Sequence, residues 1–320
     1  MSAGGAVTAA PCLSQEVKNT VIVTIICDLG SLFAHWAVCG LIMSETIKPS
    51  NSVLPSAVFV FDIETVPDVA GGRRLHRLEG LSDAEVAEAL FFKRRQENSS
   101  ALTVRAHLQR IVAISVVMRT VDRLKVWTLG GPEAPEQELI RRFFAGIEEY
   151  RPTLVSWNGS GFDLPVLHYR ALLHGVSAPR YWDIGDQDQS SRWNNYLSRF
   201  HWRHLDLMDV LSAWQPRMIT SLDEIATMLG FPGKLGMDGS KVWTAFQAGD
   251  IVSIRHYCET DVLNTYLIYL RFELIRGRLS ANGYQREGQR LRKLLTTDSA
   301  TKPHFSEFLA AWPPTTRESV

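Results

Sequence analysis

Two carboxylates, Asp62 and Glu64, close an apolar run that begins Val58, Phe59, Val60, Phe61, with Ile63 between them. A run of that composition reads as a strand covered on both faces. Side chains two apart on a strand project the same way, so the two acids face one space. Paired acids raise each other's pKa unless positive charge stands between them. The usual sources of that charge are a divalent cation held by oxygen ligands or a paired arginine. The competing reading is a strand end with both acids in water, which describes most Asp-x-Glu triplets. Asp163 follows a short strand-like stretch at the mouth of a helical one, a place where Asp is also among the best N-caps. Tyr257 and Asp261 fall four apart in a long helical pattern and share a face, while Glu259 points elsewhere. A solvated helix face would account for them, but Leu263, Tyr266, Leu267 and Leu270 read as buried neighbours.

The elements that must position these acids follow a mixed α/β order. After the first strand, residues 67–96 are polar and Arg-rich, with a helical pattern over 82–92 that opens on Ser82 as a cap. Residues 110–118 and 123–129 are β-rich runs across a short polar link, a hairpin signal. Residues 136–150 place Leu139, Ile140, Phe143, Phe144 and Ile147 at helical spacing, and 153–157 read as a short strand. Residues 158–174 read as loop then helix, with Pro165 in the first turn. A long loop with short helical pieces is expected over 179–203, and a last short strand at 204–206. Beyond it come a capped helix over 221–229 and a long amphipathic helix over 250–276. Site residues of such an order can gather at strand ends.

With 45% hydrophobic residues in 320, the chain can bury a large core and is not a disordered protein. Its 34 basic and 34 acidic residues cancel, so affinity for nucleic acid must come from local basic patches. One such candidate interleaves Trp193, Tyr196, Phe200 and Trp202 with Arg192, Arg199 and Arg203, although core packing explains the aromatics equally well. Cys12, Cys27, Cys39 and Cys258 are spaced for neither a zinc site nor a disulfide framework, and reduced thiols in a cytoplasmic protein are expected. Residues 1–52 form an N-terminal extension whose apolar stretch, 21–43, is about long enough to cross a bilayer. It contains Asp28 and His35, and three readings stay open: a misassigned start before Met43, a membrane helix, or an extra packed helix. Membrane association is not expected. Residues 53–280 form the main domain, and 281–320, polar and basic and then Pro-rich, read as a loosely attached tail.

Taken in order, Asp62-x-Glu64, Asn158-x-x-x-Phe162-Asp163 and Tyr257-x-x-x-Asp261 resemble the three exonuclease motifs of the DEDD superfamily, in the variety with a tyrosine in the third. The similarity extends over roughly residues 57–277 and includes the stretches 221–226 and 257–266. The family it points to is that of predicted 3′-5′ exonucleases related to the proofreading domain of B-family DNA polymerases. The resemblance implies a ribonuclease H-like (DnaQ-like) α/β fold, a mixed central sheet flanked by helices. It also implies hydrolysis of phosphodiesters from the 3′ end of single-stranded nucleic acid, DNA before RNA.

Phosphodiester hydrolysis needs a nucleophile at neutral pH and neutralisation of charge on the leaving oxygen, which a pair of divalent cations can provide. All-oxygen ligation favours Mg²⁺ or Mn²⁺. By similarity Asp62 would bridge the two cations, Glu64 and Asp261 would hold the nucleophile's cation, and Asp163 would support the second. Tyr257 would orient the attacking water, since a phenol is a poor base at pH 7. Thr65, Asn158 and Phe162 adjoin the motifs and are candidate substrate contacts, Phe162 by stacking. No organic cofactor is expected. A separate polymerase or DNA-repair protein is a candidate partner. The rival readings are an RNA-trimming exoribonuclease and a catalytically inactive nucleic-acid-binding module of the same fold.

Overall fold

The computed structural model describes residues 54–312 except 100 and 102. The apolar stretch 21–43, three of the four cysteines and residues 313–320 lie outside the described residues. Among the described residues no helix is long and apolar enough to cross a membrane.

Strand β1 (Ala57–Pro67) is the centre of a five-stranded sheet. Antiparallel to it runs β2 (Gln109–Thr120), which turns back into β3 (Leu124–Thr128). On the other edge β4 (Thr153–Ser156) is parallel to β1, and β5 (His204–Asp206) is parallel to β4. The order β3-β2-β1-β4-β5, with helices on both faces, is the expected ribonuclease H-like arrangement.

The expected hairpin, the helices and the long loop all form. Between β1 and β2 lie α1 (Val69–His76), for which no helical pattern is read from the sequence, and α2 (Asp83–Glu97), capped by Ser82 with a full capping box. Helix α3 (Glu136–Tyr150) precedes β4, and α4 (Asp163–His174) and the single-turn α5 (Pro179–Trp182) follow it. After β5 come α6 (Leu207–Leu211), α7 (Leu222–Met228), α8 (Val242–Gln247) and the long α9 (Ile251–Ile275).

Alternation along β1 sorts its side chains between two cores. Phe59, Phe61 and Ile63 join the cluster under α3 and α4, where Phe143 packs edge-on to Phe61 at 5.0 Å. Val58 and Val60 face α9. Asp62 and Glu64 continue the Val58, Val60 row, so both acids point to the α9 side.

The loosely attached tail is corrected. Residues 281–312 form α10 (Ala281–Asp298) and α11 (Pro303–Ala311), which bury Leu291, Leu295, Phe305 and Phe308 in the core shared with α9. The apolar residues of α10 are few but fall on one stripe, Tyr284, Leu291 and Leu295, which the surrounding Arg and Lys hide from a composition count.

Helix α11 also reaches the back of α9. Glu259 is only 4% exposed and not solvated. Its carboxylate accepts from the Thr128 amide at 2.9 Å, from Lys302 Nζ at 2.8 Å and from His304 Nε2 at 2.9 Å. Glu259→Gln strips this knot of its charge and should cost about 3 kcal/mol, since removing one member leaves the others buried and uncompensated. Thermal unfolding should show Tm lower by roughly 10 °C; a change under 2 °C would mean that the knot adds nothing.

Candidate active site

Three elements bring the acids together. Asp62 and Glu64 come from β1, Asp163 from the first turn of α4, and Asp261 from α9. Glu64, Asp163 and Asp261 are at most 8% exposed, and Asp62 is half-buried. Asp163 is not the cap of its helix: Oδ1 crosses to β1 and accepts the Ile63 amide at 3.1 Å, locking the mouth of α4 to the strand between the two other acids.

The two acids of β1 sense the other carboxylates of the site. Burial and then the charges of Asp163, Glu64 and Asp261 push Asp62 well above the usual carboxylate range. Glu64 is pushed up by burial, Asp261 and Asp163. Burial carries Asp163 and Asp261 up to about 7. Among the described residues none of the four is in an ion pair with Arg or Lys. Oxygen donors gathered without an Arg or Lys in ion-pairing distance are the donor set that hard divalent cations take, so these residues fit the implied cations. Ligand atoms of Asp62, Glu64 and Cys258 lie within 4.8 Å of one another.

Cys258 carries no signal in the sequence. Its Sγ lies 3.4 Å from the Asp62 carbonyl and 3.5 Å from Asp62 Oδ2. Burial and the charges of Asp62 and Glu64 push its pKa up, so it stays a thiol that donates to Asp62. Tyr257, 7% exposed, stands one turn from Asp261 on the same face of α9. Burial, then Asp261, Glu64 and Asp62, hold the phenol protonated far above neutral pH.

Lys234 is a second site residue that sequence reasoning misses. It is the cation that draws the pKa of both Glu64 and Asp261 downward. Its turn is pinned to α9 by Asn264, whose amide side chain accepts from Gly233 N at 3.1 Å and donates to Gly233 O at 2.8 Å. The available signal was Asn264 itself, a buried amide three residues after Asp261 with no apolar role.

The segment before α4 is tight. Asn158 adopts φ +65°, and a Cβ on Gly159 or Gly161 would overlap Ser156 Oγ or Asn158 Oδ1. Asp206 accepts the amides of Asn158 at 2.9 Å and Ser160 at 2.8 Å, which is a structural use of that acid. Phe162 is half-buried against the α3 and α4 core. Thr65, just past a register shift in β1, donates to Gln109 Oε1 at 2.9 Å. The aromatic run Trp193, Phe200 and Trp202 is exposed but lies beside Pro55 and Thr153, where β1 and β4 start, so it is not at the acidic end.

A family described as predicted 3′-5′ exonucleases related to the exonuclease domain of PolB matches residues 103–312, which takes in Asp163, Tyr257, Asp261, α10 and α11 but not Asp62 and Glu64. The catalytic polypeptide of DNA polymerase epsilon from Saccharomyces cerevisiae is 25% identical over 147 residues, and that of Kluyveromyces lactis is 27% identical over 148. Each match covers 44% of this chain and 6% of the polymerase, so the chain spans a small fraction of these relatives. The family B DNA polymerase from Pyrobaculum calidifontis aligns with a TM-score of 0.43 at 20% identity, over 78% of this chain and 30% of that one. Product-bound exonuclease I aligns with a TM-score of 0.33 at 14% identity, over 68% and 47%.

Proposed function

Because the chain belongs to the family of predicted 3′-5′ exonucleases related to the exonuclease domain of PolB, we propose that it trims single-stranded nucleic acid, DNA before RNA, one nucleotide at a time from the 3′ end. The reading rests on one observation above the others: four carboxylates from β1, α4 and α9, three of them buried, converge with no Arg or Lys among the described residues in ion-pairing distance, and the charges of the other three add to the rise in the pKa of Asp62. The polymerase epsilon relatives favour DNA as the polymer.

Asp62, Glu64 and Asp261 would hold one divalent cation, and Asp62 with Asp163 a second. Bound Mg²⁺ or Mn²⁺ supplies neutralisation of charge on the scissile phosphate and a lowered pKa for water. The chain's own residues do the rest. Tyr257, held beside Asp261 on the same face of α9, stays a phenol and orients the attacking water without acting as base. Thr65, Asn158 and Phe162 border the place of the terminal nucleotide, with Phe162 against its base or sugar. Water oxygen bonds to phosphorus as the bond to the 3′ oxygen breaks, releasing a nucleoside 5′-monophosphate and a strand with a free 3′ hydroxyl.

Labelled single-stranded DNA and RNA, each incubated with Mg²⁺, Mn²⁺ or EDTA, test the reading. Stepwise 3′ shortening of DNA with either metal and none in EDTA is expected. Preference for RNA would reassign the polymer, and no cleavage with any metal would leave a binding module. Tyr257→Phe should lower kcat about 10- to 100-fold, the loss of one hydrogen bond of roughly 1.5 to 3 kcal/mol to the attacking water, with KM within two-fold. An equal loss in KM would make Tyr257 a substrate contact instead.

A further inference from the structure

A cavity of about 650 Å³ opens where β1 runs out at Pro67, between the N-terminal end of α1, the C-terminal end of α4 and α8. Pro67 is three residues beyond Glu64, about 10 Å along an extended chain. The groove is also continuous with the acids through packing, since Trp243 and Phe246 rest on the cluster that contains Val66, Tyr257 and Cys258.

Its walls combine two kinds of group. Trp243 and Phe246, one turn apart on α8, lie nearly parallel with ring centroids 6.0 Å apart, and both remain half-exposed. Arg110 holds its guanidinium over Phe246 at 5.6 Å. Neither Arg110 nor its neighbour across the groove, Arg74, has a carboxylate within ion-pairing distance among the described residues, and both are exposed. The other two arginines of the groove are occupied: Arg73 by Asp83 at 2.6 Å, and the buried Arg170 by Asp68 at 2.6 Å and by Glu136. Arg73 and Arg170 brace the walls, while Arg74 and Arg110 are left to a ligand.

Resting on the exonuclease reading, we propose that this groove is the track of the single strand behind its reacting end. One base stacks at the Trp243 and Phe246 face, and Arg74 and Arg110 take flanking phosphates. A stacking face beside unpaired guanidinium groups suits a polymer with alternating π-faces and negative charges, and is indifferent to sequence. A purely structural pair of aromatics would need neither the exposure nor the open cations.

The test compares the full chain with Trp243→Ala, Trp243→Phe and Arg110→Ala. Binding of a fluorescein-labelled 20-mer of thymidylate is read by anisotropy with Ca²⁺, and kcat/KM is read with Mn²⁺ on the 20-mer and on thymidylyl dinucleotide. Trp243→Ala should weaken 20-mer binding about 5- to 30-fold, the loss of one stacked base. The preference for the 20-mer over the dinucleotide should fall by the same factor, and Trp243→Phe should restore both. Arg110→Ala should reduce the slope of log affinity against log salt by about 0.7, one phosphate contact on a single strand. Binding within two-fold of the parent in both alanine variants, or equal losses on the two substrates, would overturn the groove. A parent that binds the 20-mer but cleaves nothing defeats the exonuclease reading alone, and the anisotropy comparison still decides the groove.

Discussion

Asp62→Asn is expected to lower turnover about 1,000-fold while making the cation-free protein more stable. Both effects come from the same charge. Losing a carboxylate that would hold the cations removes several kcal/mol of transition-state stabilisation, and about 4 kcal/mol corresponds to three decades in rate. In the absence of cations the same carboxylate is a liability. Asp62 carries a pKa raised first by burial and then by Asp163, Glu64 and Asp261, so at pH 8 its ionised form opposes folding. Asn keeps the shape and the acceptor for Cys258 and removes the repulsion. Thermal unfolding in EDTA at pH 8 should give a Tm higher by several degrees, at roughly 2 to 4 °C per kcal/mol for a chain of this size. A variant that loses activity and Tm together would make Asp62 a folding residue and remove it from the site.

The second large effect is a stability that falls as pH rises, and only without cations. Asp163 and Asp261 titrate near 7 in the folded chain against 3.8 for an ordinary aspartate, while Asp62 and Glu64 lie well above their ordinary values. A folded pKa above the unfolded one gives stability that is complete below about pH 4 and is lost as pH climbs through the folded value. The buried imidazoles of His168 and His204, held down to about 4 by burial, run the other way until pH passes their ordinary 6.5. The net fall should therefore be steepest between about pH 6.5 and 7.5 and amount to a loss on the order of 2 kcal/mol. In EDTA, Tm should drop by several degrees across that interval, and saturating Mg²⁺ or Mn²⁺ should flatten the profile because the cations replace the protons. A flat profile in EDTA, unmoved by either metal, would mean that the carboxylates do not share a cluster.

Much of this arrangement is legible in the sequence because it obeys short-range rules. The continuous apolar run that ends in Asp62 and Glu64 marks the strand, the two-residue spacing of the acids gives them a common face, and the helical period after Glu136 marks α3. The convergence of Asp163 with β1 is not legible from period alone: Oδ1 bonds an amide 100 residues away, and a local reading offers an N-cap as readily. Glu259 misleads for a related reason. A helix seen alone places it away from Tyr257 and Asp261, and nothing local reveals that Lys302 and His304 wait on the far side. Cys258 and Lys234 carry no pattern of their own and become informative only when β1 and the Asn264 turn are in place.

The knot at Glu259 also governs how the enzyme can be recombined. A gene fusion or duplication that breaks the chain just after α9 would carry every acid of the centre and still strand a negative charge beneath it, with Phe305 and Phe308 gone from the core. A portable cassette therefore has to include Lys302 and His304, at the start of α11, and the Phe305 and Phe308 that follow them. Inheritance of the centre is thereby tied to Lys302 and His304, which contact α9 through Glu259 and not through any of the four acids.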